Sequence, residues 1–201
     1  MQEFDVLTVD PDPIKQFQRW FHEAIASGMK LPEAMTLSTT TREGTPSARV
    51  VLLKHVDQRG FIFFTNYESR KGSDLADHPR AALVFYWPQF DRQVRIEGTV
   101  TKTSLKESEE YFQMRPRGSR IGAHASAQSS RVNSREELER RFTELEQLYD
   151  GKDIPCPPNW GGYCVHPERI EFWQGRENRL HDRILYERMQ TGGWSLSRLA
   201  P

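Results

Sequence analysis

An aromatic plane, three arginines and a histidine fall within the twelve residues Phe172-Trp173-Gln174-Gly175-Arg176-Glu177-Asn178-Arg179-Leu180-His181-Asp182-Arg183. A tryptophan offers a flat apolar face and one donor, each arginine carries a fixed fork of donors suited to phosphate, and histidine exchanges protons near neutral pH. Together they suit a flat, anionic ligand undergoing redox or acid/base chemistry. The competing reading is an amphipathic strand followed by a solvated turn, since surface charge is common.

Four other groups could share that chemistry. Arg49-Val50-Val51-Leu52-Leu53-Lys54 is apolar with a cation at each end. In a regular strand Arg49 and Lys54 have opposite parity and face opposite sides. They would then serve two separate anionic groups or a site shared across a subunit boundary, or be snorkelling cations at strand ends. Thr65-Asn66-Tyr67-Glu68-Ser69-Arg70-Lys71-Gly72 follows a strand and leads into a helix expected over Ser69 to Asp77. Free backbone N–H groups there, with Arg70 and Lys71, make a phosphate cradle, though without the glycine spacing of a P-loop. Tyr111 and Arg115, four apart near a helix end, share a face, with Ser119 in the turn after Pro116. They converge on one anion or form a stacking pair. Gln128-Ser129-Ser130-Arg131 is a further polar cluster, and Gln93 inside a strand pairs with a heterocycle edge or satisfies backbone groups.

The elements that must position these residues are legible from period and capping. Asp12 ahead of Pro13 starts a helix, and Ile14, Phe17, Phe21, Ala24 and Ile25 give it one apolar face. Strands are expected over Met35 to Thr41, Ala48 to Val56, Phe61 to Asn66, Ala81 to Trp87 and Gln93 to Lys102, with turns at Arg42-Glu43-Gly44 and Asp57-Gln58-Arg59-Gly60. Ser104 with Glu107, and Ser134 with Glu137, carry the capping-box spacing of two cover helices. The second continues through Leu138, Phe142, Leu145 and Tyr149. After Ile154-Pro155-Cys156-Pro157-Pro158, strands resume over Gly162 to Gln174, Arg183 to Met189 and Trp194 to Leu199. No linker or repeat divides residues 1–201, so the expectation is one mainly β domain, a barrel with flanking helices.

The chain balances 28 basic against 28 acidic residues, which argues against a nucleic-acid protein dominated by its field. Cys156 and Cys164 are too few and too far apart for a disulfide framework or a CxxC metal motif. No stretch approaches the about 18 apolar residues of a membrane span, and Met1-Gln2-Glu3-Phe4-Asp5 lacks signal-peptide character. These features point to the cytoplasm.

Taken in order, Arg49-Val50-Val51-Leu52-Leu53-Lys54, Phe64-Thr65-Asn66, Ser69-Arg70-Lys71, Arg92-Gln93-Val94, Arg115-Pro116-Arg117, Gln128-Ser129-Ser130, Trp160-Gly161-Gly162 and Trp173 to Arg183 resemble the pyridoxamine 5′-phosphate oxidase family, from about Asp12 to Pro201. The resemblance implies an FMN-binding split β-barrel, homodimeric, with FMN in clefts between subunits. It implies FMN contacts from Arg49, Val50, Val51, Leu52, Leu53, Lys54, Phe64, Thr65, Arg70, Lys71, Gln93, Gln128, Ser129, Trp173 and Arg183. Lys54, Tyr111, Arg115 and Ser119 would hold the substrate phosphate, and Arg179, Leu180 and His181 would lie over the substrate, with Arg179 and His181 catalytic. Arg176 gains no role and reads as a solvated charge. The reaction implied is oxidation of pyridoxamine 5′-phosphate or pyridoxine 5′-phosphate to pyridoxal 5′-phosphate by hydride transfer from C4′ to the flavin, with dioxygen reduced to hydrogen peroxide.

Two features depart from the family pattern. The basic residue and tyrosine that members commonly carry in an N-terminal lid have no counterpart in Met1 to Leu7, and Phe64 stands where a tyrosine is also found. The alternatives are a flavin reductase or related oxidoreductase on the same barrel, and a non-catalytic carrier of FMN or pyridoxal phosphate.

Overall fold

The computed structural model describes residues 4–201; Met1, Gln2 and Glu3, part of the start read above for signal-peptide character and of the stretch lacking a lid pair, lie outside the described residues. Helix α1 (Pro13–Ala26) begins as expected, with the Asp12 carboxylate accepting from the Ile14 N–H. Its apolar face buries Ile14, Phe17 and Ala24 together with Trp20, whereas Ile25 is half exposed. Phe17 is the hub of that contact, meeting Phe61 and Phe85 edge-on with ring centroids 4.9 Å away in each case. Burial of such a ring contributes about 1.5–3 kcal/mol.

Among the described residues, nine antiparallel strands make one curled sheet. They are β1 (Ala34–Thr40), β2 (Pro46–Leu52), β3 (His55–Asp57), β4 (Gly60–Asn66), β5 (Arg80–Trp87), β6 (Arg92–Lys102), β7 (Trp160–Gln174), β8 (Asp182–Arg188) and β9 (Trp194–Arg198). Their order is β2-β1-β5-β6-β7-β4-β3, with β8 on β7 and β9 on β8. The 15-residue β7 is the spine: its first half pairs β4 and its second half β8, while β6 runs along its other edge. Alternating burial along β1 and β5 sends Met35, Leu37, Leu83 and Phe85 into the barrel core. The expected split β-barrel is therefore present.

The other helices pack on different strands of the sheet and on one another. α2 (Arg70–Asp77) starts at Ser69, and α3 (Leu105–Met114) starts in a complete Ser104/Glu107 capping box. α5 (Arg135–Leu148) uses only half of its expected box, since the Glu137 carboxylate accepts from Asn133 rather than from Ser134. A second apolar cluster of Phe112, Ile121, Ile154 and Trp160 lies under α3 and α5, with Phe142, Leu145 and Tyr149 against it.

Two expectations are corrected. The single strand over Ala48 to Val56 is two strands, because Leu53 turns into the core and the chain bends there: its N–H donates to Glu33 O at 2.9 Å, and that of Lys54 to Ile62 O at 2.8 Å. The turn expected after Pro116 is instead helix α4 (Arg117–Ala125), so Ser119 sits in a first helical turn. Proline ends one helix by lacking a donor, yet its fixed φ also suits the start of the next.

Candidate active site

A cleft of about 1000 Å³ opens between β2, β4, the start of α2, the end of α3 and α4. Arg49, Val50, Val51 and Leu52 form one wall, and Lys54 lines the same cleft as Arg49. The bend at Leu53 removes the parity conflict within one chain, with no need of a second subunit. Leu53 itself, expected at the flavin, is buried in the core and does not line the cleft. Arg49 is held by Thr39 Oγ1 at 2.6 Å, Ser47 Oγ at 2.8 Å and Leu37 O at 3.3 Å, with Asp74 3.6 Å away.

The opposite wall is built on the strand-to-helix turn. Thr65 ends β4, and Lys71 in the first turn of α2 is buried, its Nζ donating to Gln128 Oε1 at 2.9 Å and to Thr65 Oγ1 and Ser69 Oγ at 3.2 Å each. Thr65 Oγ1 also donates to Gln128 Oε1 at 3.0 Å, so Thr65, Ser69 and Lys71 are knotted to a residue far away in sequence. Burial, and then the nearby Arg49 charge, push the Lys71 ammonium below its usual pKa. Arg70 and Ser129 complete this side, and Ser129 adopts a left-handed φ of 74°.

At the third wall stand Tyr111, Arg115 and Ser119. Arg115 lies past the helix end, in extended backbone at the cap of α3, so helical spacing is not what aligns it with Tyr111. Its guanidinium stacks on the Trp160 ring at 4.6 Å, and its Nη1 is buried without a hydrogen-bond partner. Burial lowers its pKa, although an arginine stays charged.

Arg49, Lys54, Arg70, Lys71 and Arg115 thus line one cleft, and among the described residues lining it none is a carboxylate. In a chain with equal numbers of acids and bases, that local excess is the signature of an anion site. The donor chemistry fits phosphate esters: guanidinium forks, an ammonium, hydroxyls and an amide. The residues present therefore fit a phosphorylated flavin such as FMN and a second phosphate.

The remaining expected site residues lie elsewhere. Gln93, Trp173 and Arg183 form a row across β6, β7 and β8, since Gln93 pairs with Trp173 and Trp173 with Arg183. Arg183 is locked on the buried Glu171 carboxylate at 2.8 and 3.1 Å, which raises its pKa, and also donates to Ala200 O. His181 packs against Trp173 with ring centroids 4.7 Å apart. Its Nδ1 accepts from the Arg176 N–H at 3.1 Å, so the neutral ring carries its proton on Nε2 and offers a donor outward. Arg179 and Leu180 are exposed, and Asn178 and Arg179 take left-handed φ values of 55° and 61°. Arg176 is not a solvated charge: it pairs with Asp182 at 2.6 Å, and Asp182 with Arg198, which reaches Asp5.

Sequence reasoning assigned no site role to Trp160, which lines the cleft. Its signal was an aromatic followed by two glycines within a strand, a pattern that marks close approach by another group.

Comparison with known proteins decides the family. The profile for pyridoxamine 5′-phosphate oxidase matches residues 21–149, and that for the pyridoxine 5′-phosphate oxidase C-terminal dimerisation region matches residues 160–201. The chain belongs to the pyridoxamine 5′-phosphate oxidase family. The pyridoxine/pyridoxamine 5′-phosphate oxidase of Rubrobacter xylanophilus is 59% identical over 96% of this chain and 88% of its own. That of Cyanothece sp. is 56% identical over 100% and 93%. Among solved structures, PhzG from Burkholderia lata, in complex with tetrahydrophenazine-1-carboxylic acid, superposes with a TM-score of 0.94 at 31% identity over 100% and 98%. A pyridoxamine 5′-phosphate oxidase-related, FMN binding protein from Nostoc punctiforme, 17% identical over 94% and 98%, shares the fold with a TM-score of 0.75. As a family member the chain is an enzyme, and its residues 160–201 match a dimerisation region. No helix among the described residues is long and apolar enough to cross a membrane.

Proposed function

We propose that residues 1–201 form one FMN-binding unit that oxidises pyridoxamine 5′-phosphate and pyridoxine 5′-phosphate to pyridoxal 5′-phosphate in the cytoplasm, with dioxygen reduced to hydrogen peroxide. The observation that carries this reading is the carboxylate-free cleft with five cations, large enough for two phosphate-bearing ligands. In this reading Arg49, Thr65, Arg70, Lys71, Gln128 and Ser129 hold FMN, with backbone and side chains of Val50 to Leu52 and Phe64 against it. Lys54, Tyr111, Arg115 and Ser119 hold the substrate phosphate. When bound, FMN supplies the hydride acceptor.

Gln93, Trp173, Arg183, Arg179, Leu180 and His181 do not line the cleft of their own chain. We infer that they complete the cleft of a second copy, which agrees with the match of residues 160–201 to a dimerisation region. Of these, Arg183 is neutralised by Glu171, so the row beside Trp173 suits the uncharged face of a ring rather than a phosphate, and Arg179 is left as its exposed cation. Arg179 and His181 would orient the substrate ring at the reacting carbon, His181 through its Nε2–H.

The solved neighbour bound to tetrahydrophenazine-1-carboxylic acid marks the second reading, oxidation of a fused-ring carboxylate by the same barrel. The Tyr111, Arg115 and Ser119 group and the identity of 56–59% to pyridoxine/pyridoxamine 5′-phosphate oxidases favour the phosphate ester. The test is anaerobic bleaching of the FMN-loaded protein by pyridoxamine 5′-phosphate, followed by aldehyde and peroxide formation on admitting oxygen. A protein that stays colourless with added FMN overturns the reading. Shared sites are tested by mixing subunits carrying Lys71→Met with subunits carrying Arg179→Ala. Random re-pairing restores about a quarter of wild-type activity if each site draws on both chains, and none if it does not.

A further inference from the structure

Arg115 poses a physical problem. Its guanidinium is half-buried with one nitrogen fully enclosed and unpartnered, and among the described residues no carboxylate pairs with it. A carboxylate would hold the group in place but would occupy its donors and cancel its charge. An aromatic face holds the plane of a guanidinium by attraction to the ring quadrupole and leaves the donor edge free. Trp160 provides that face, 4.6 Å from the Arg115 carbon, and is itself 8% exposed at the cleft wall.

The same indole also fixes Tyr111. Trp160, Phe64 and Tyr111 are almost parallel: the angles are 14° between Trp160 and Phe64, 18° between Phe64 and Tyr111, and 5° between Trp160 and Tyr111. The three centroids form a triangle, with Phe64 4.0 Å from Tyr111 and 5.6 Å from Trp160, and Trp160 itself 6.2 Å from Tyr111. Phe112 meets Trp160 edge-on at 5.1 Å. The register explains how Phe64 reaches this position. It pairs with Gly162, diagonal to Trp160 on the same face of β7, and a Cβ at Gly162 would stand only 2.9 Å from the Phe64 ring. The Trp160-Gly161-Gly162 motif is thereby one device, an aromatic platform and the space for its neighbour to stack.

The geometry points to Trp160 as a positioning residue for the substrate phosphate, presenting the Arg115 fork and the Tyr111 phenol to one anion. This rests on the assignment of Arg115 and Tyr111 to that phosphate. Trp160→Leu, Trp160→Phe and Arg115→Gln are compared as FMN-saturated proteins, by calorimetric titration with inorganic phosphate and by steady-state kinetics with pyridoxamine 5′-phosphate. Trp160→Leu weakens phosphate about tenfold and raises KM by a similar factor with kcat within about twofold, and Trp160→Phe falls between it and wild type. Binding of unphosphorylated pyridoxamine is unchanged.

Normal phosphate affinity in Trp160→Leu beside a loss in Arg115→Gln overturns the role of Trp160. Normal affinity in Arg115→Gln as well shows instead that the phosphate assignment is wrong. An equal loss of phosphate and of pyridoxamine, with a lower melting temperature, marks a structural role only and also overturns the proposal. If Trp160→Leu does not fold, Trp160→Phe decides alone: weaker phosphate at an unchanged melting temperature supports the inference, and wild-type affinity refutes it.

Discussion

The cleft and the β6–β8 row are both rich in arginine, yet they are electrostatic opposites. In the cleft Arg70, Lys71 and Arg115 form no ion pair with a carboxylate among the described residues, and the Asp74 carboxylate lies 3.6 Å from Arg49. In the row every partly buried cation has an acid: Arg183 with Glu171, Arg176 with Asp182. Burial therefore depresses the pKa of Arg49, Lys71 and Arg115, while its carboxylate raises that of Arg183. A site that leaves buried charge uncompensated holds folding free energy in reserve for an anionic ligand. A site that compensates its charge within the chain is stable by itself and presents surface instead.

This difference predicts opposite responses to removing a cation. Arg183→Met leaves the buried Glu171 with the more exposed Arg95 as its remaining ion-pair partner among the described residues, and should destabilise the protein by about 3 kcal/mol, read as a lower urea midpoint. Lys71→Met should leave the ligand-free protein as stable as wild type or more so, while weakening FMN by about 10–100-fold in a fluorescence titration. If both variants lose stability alike, the contrast between the regions fails. Arg179→Ala touches an exposed side chain with a left-handed φ of 61° and should lower kcat by about tenfold with FMN binding intact. Undiminished turnover at saturating substrate would remove Arg179 from the site.

The smallest effect concerns the strap behind the cleft. Glu107 joins the β3–β4 turn to α3, and its hydrogen bonds from Arg59 and then from Ser104 hold its carboxyl down to about 2. A depressed carboxyl stabilises the fold above its ordinary pKa of 4.5, and that contribution disappears as pH falls from there toward 2. The melting temperature of Glu107→Gln should thus lie below that of wild type at neutral pH and converge with it in that acid window. A gap that persists at pH 2 would assign the loss to packing rather than charge.

Much of this was legible in local sequence. Asp12-Pro13, Ser69 and Ser104 announce their helices because capping is settled within a few residues, and the strands follow from period and β-branched content. The cleft residues of the Arg49 to Lys54, Thr65 to Lys71 and Tyr111 to Ser119 stretches were named from donor chemistry and resemblance, and the structure brings them to one cavity. What local pattern missed were the bend at Leu53, helix α4 and the role of Trp160. Each depends on a partner distant in sequence: Glu33 and Ile62 for the bend, Phe142 beside α4, Phe64 and Arg115 for the indole.

The Trp173 to Arg183 segment shows the division most clearly. Its composition suits a flat ligand, because residue types set chemistry whatever the fold. Only the tertiary structure decided that its Arg183 and Arg176 are already paired, with Glu171 and Asp182, and that it lies outside the cleft of its own chain. Charge balance over the whole sequence is blind to pairing; the uncompensated cations of the cleft emerge only when the chain is folded and distances decide which carboxylate reaches which base.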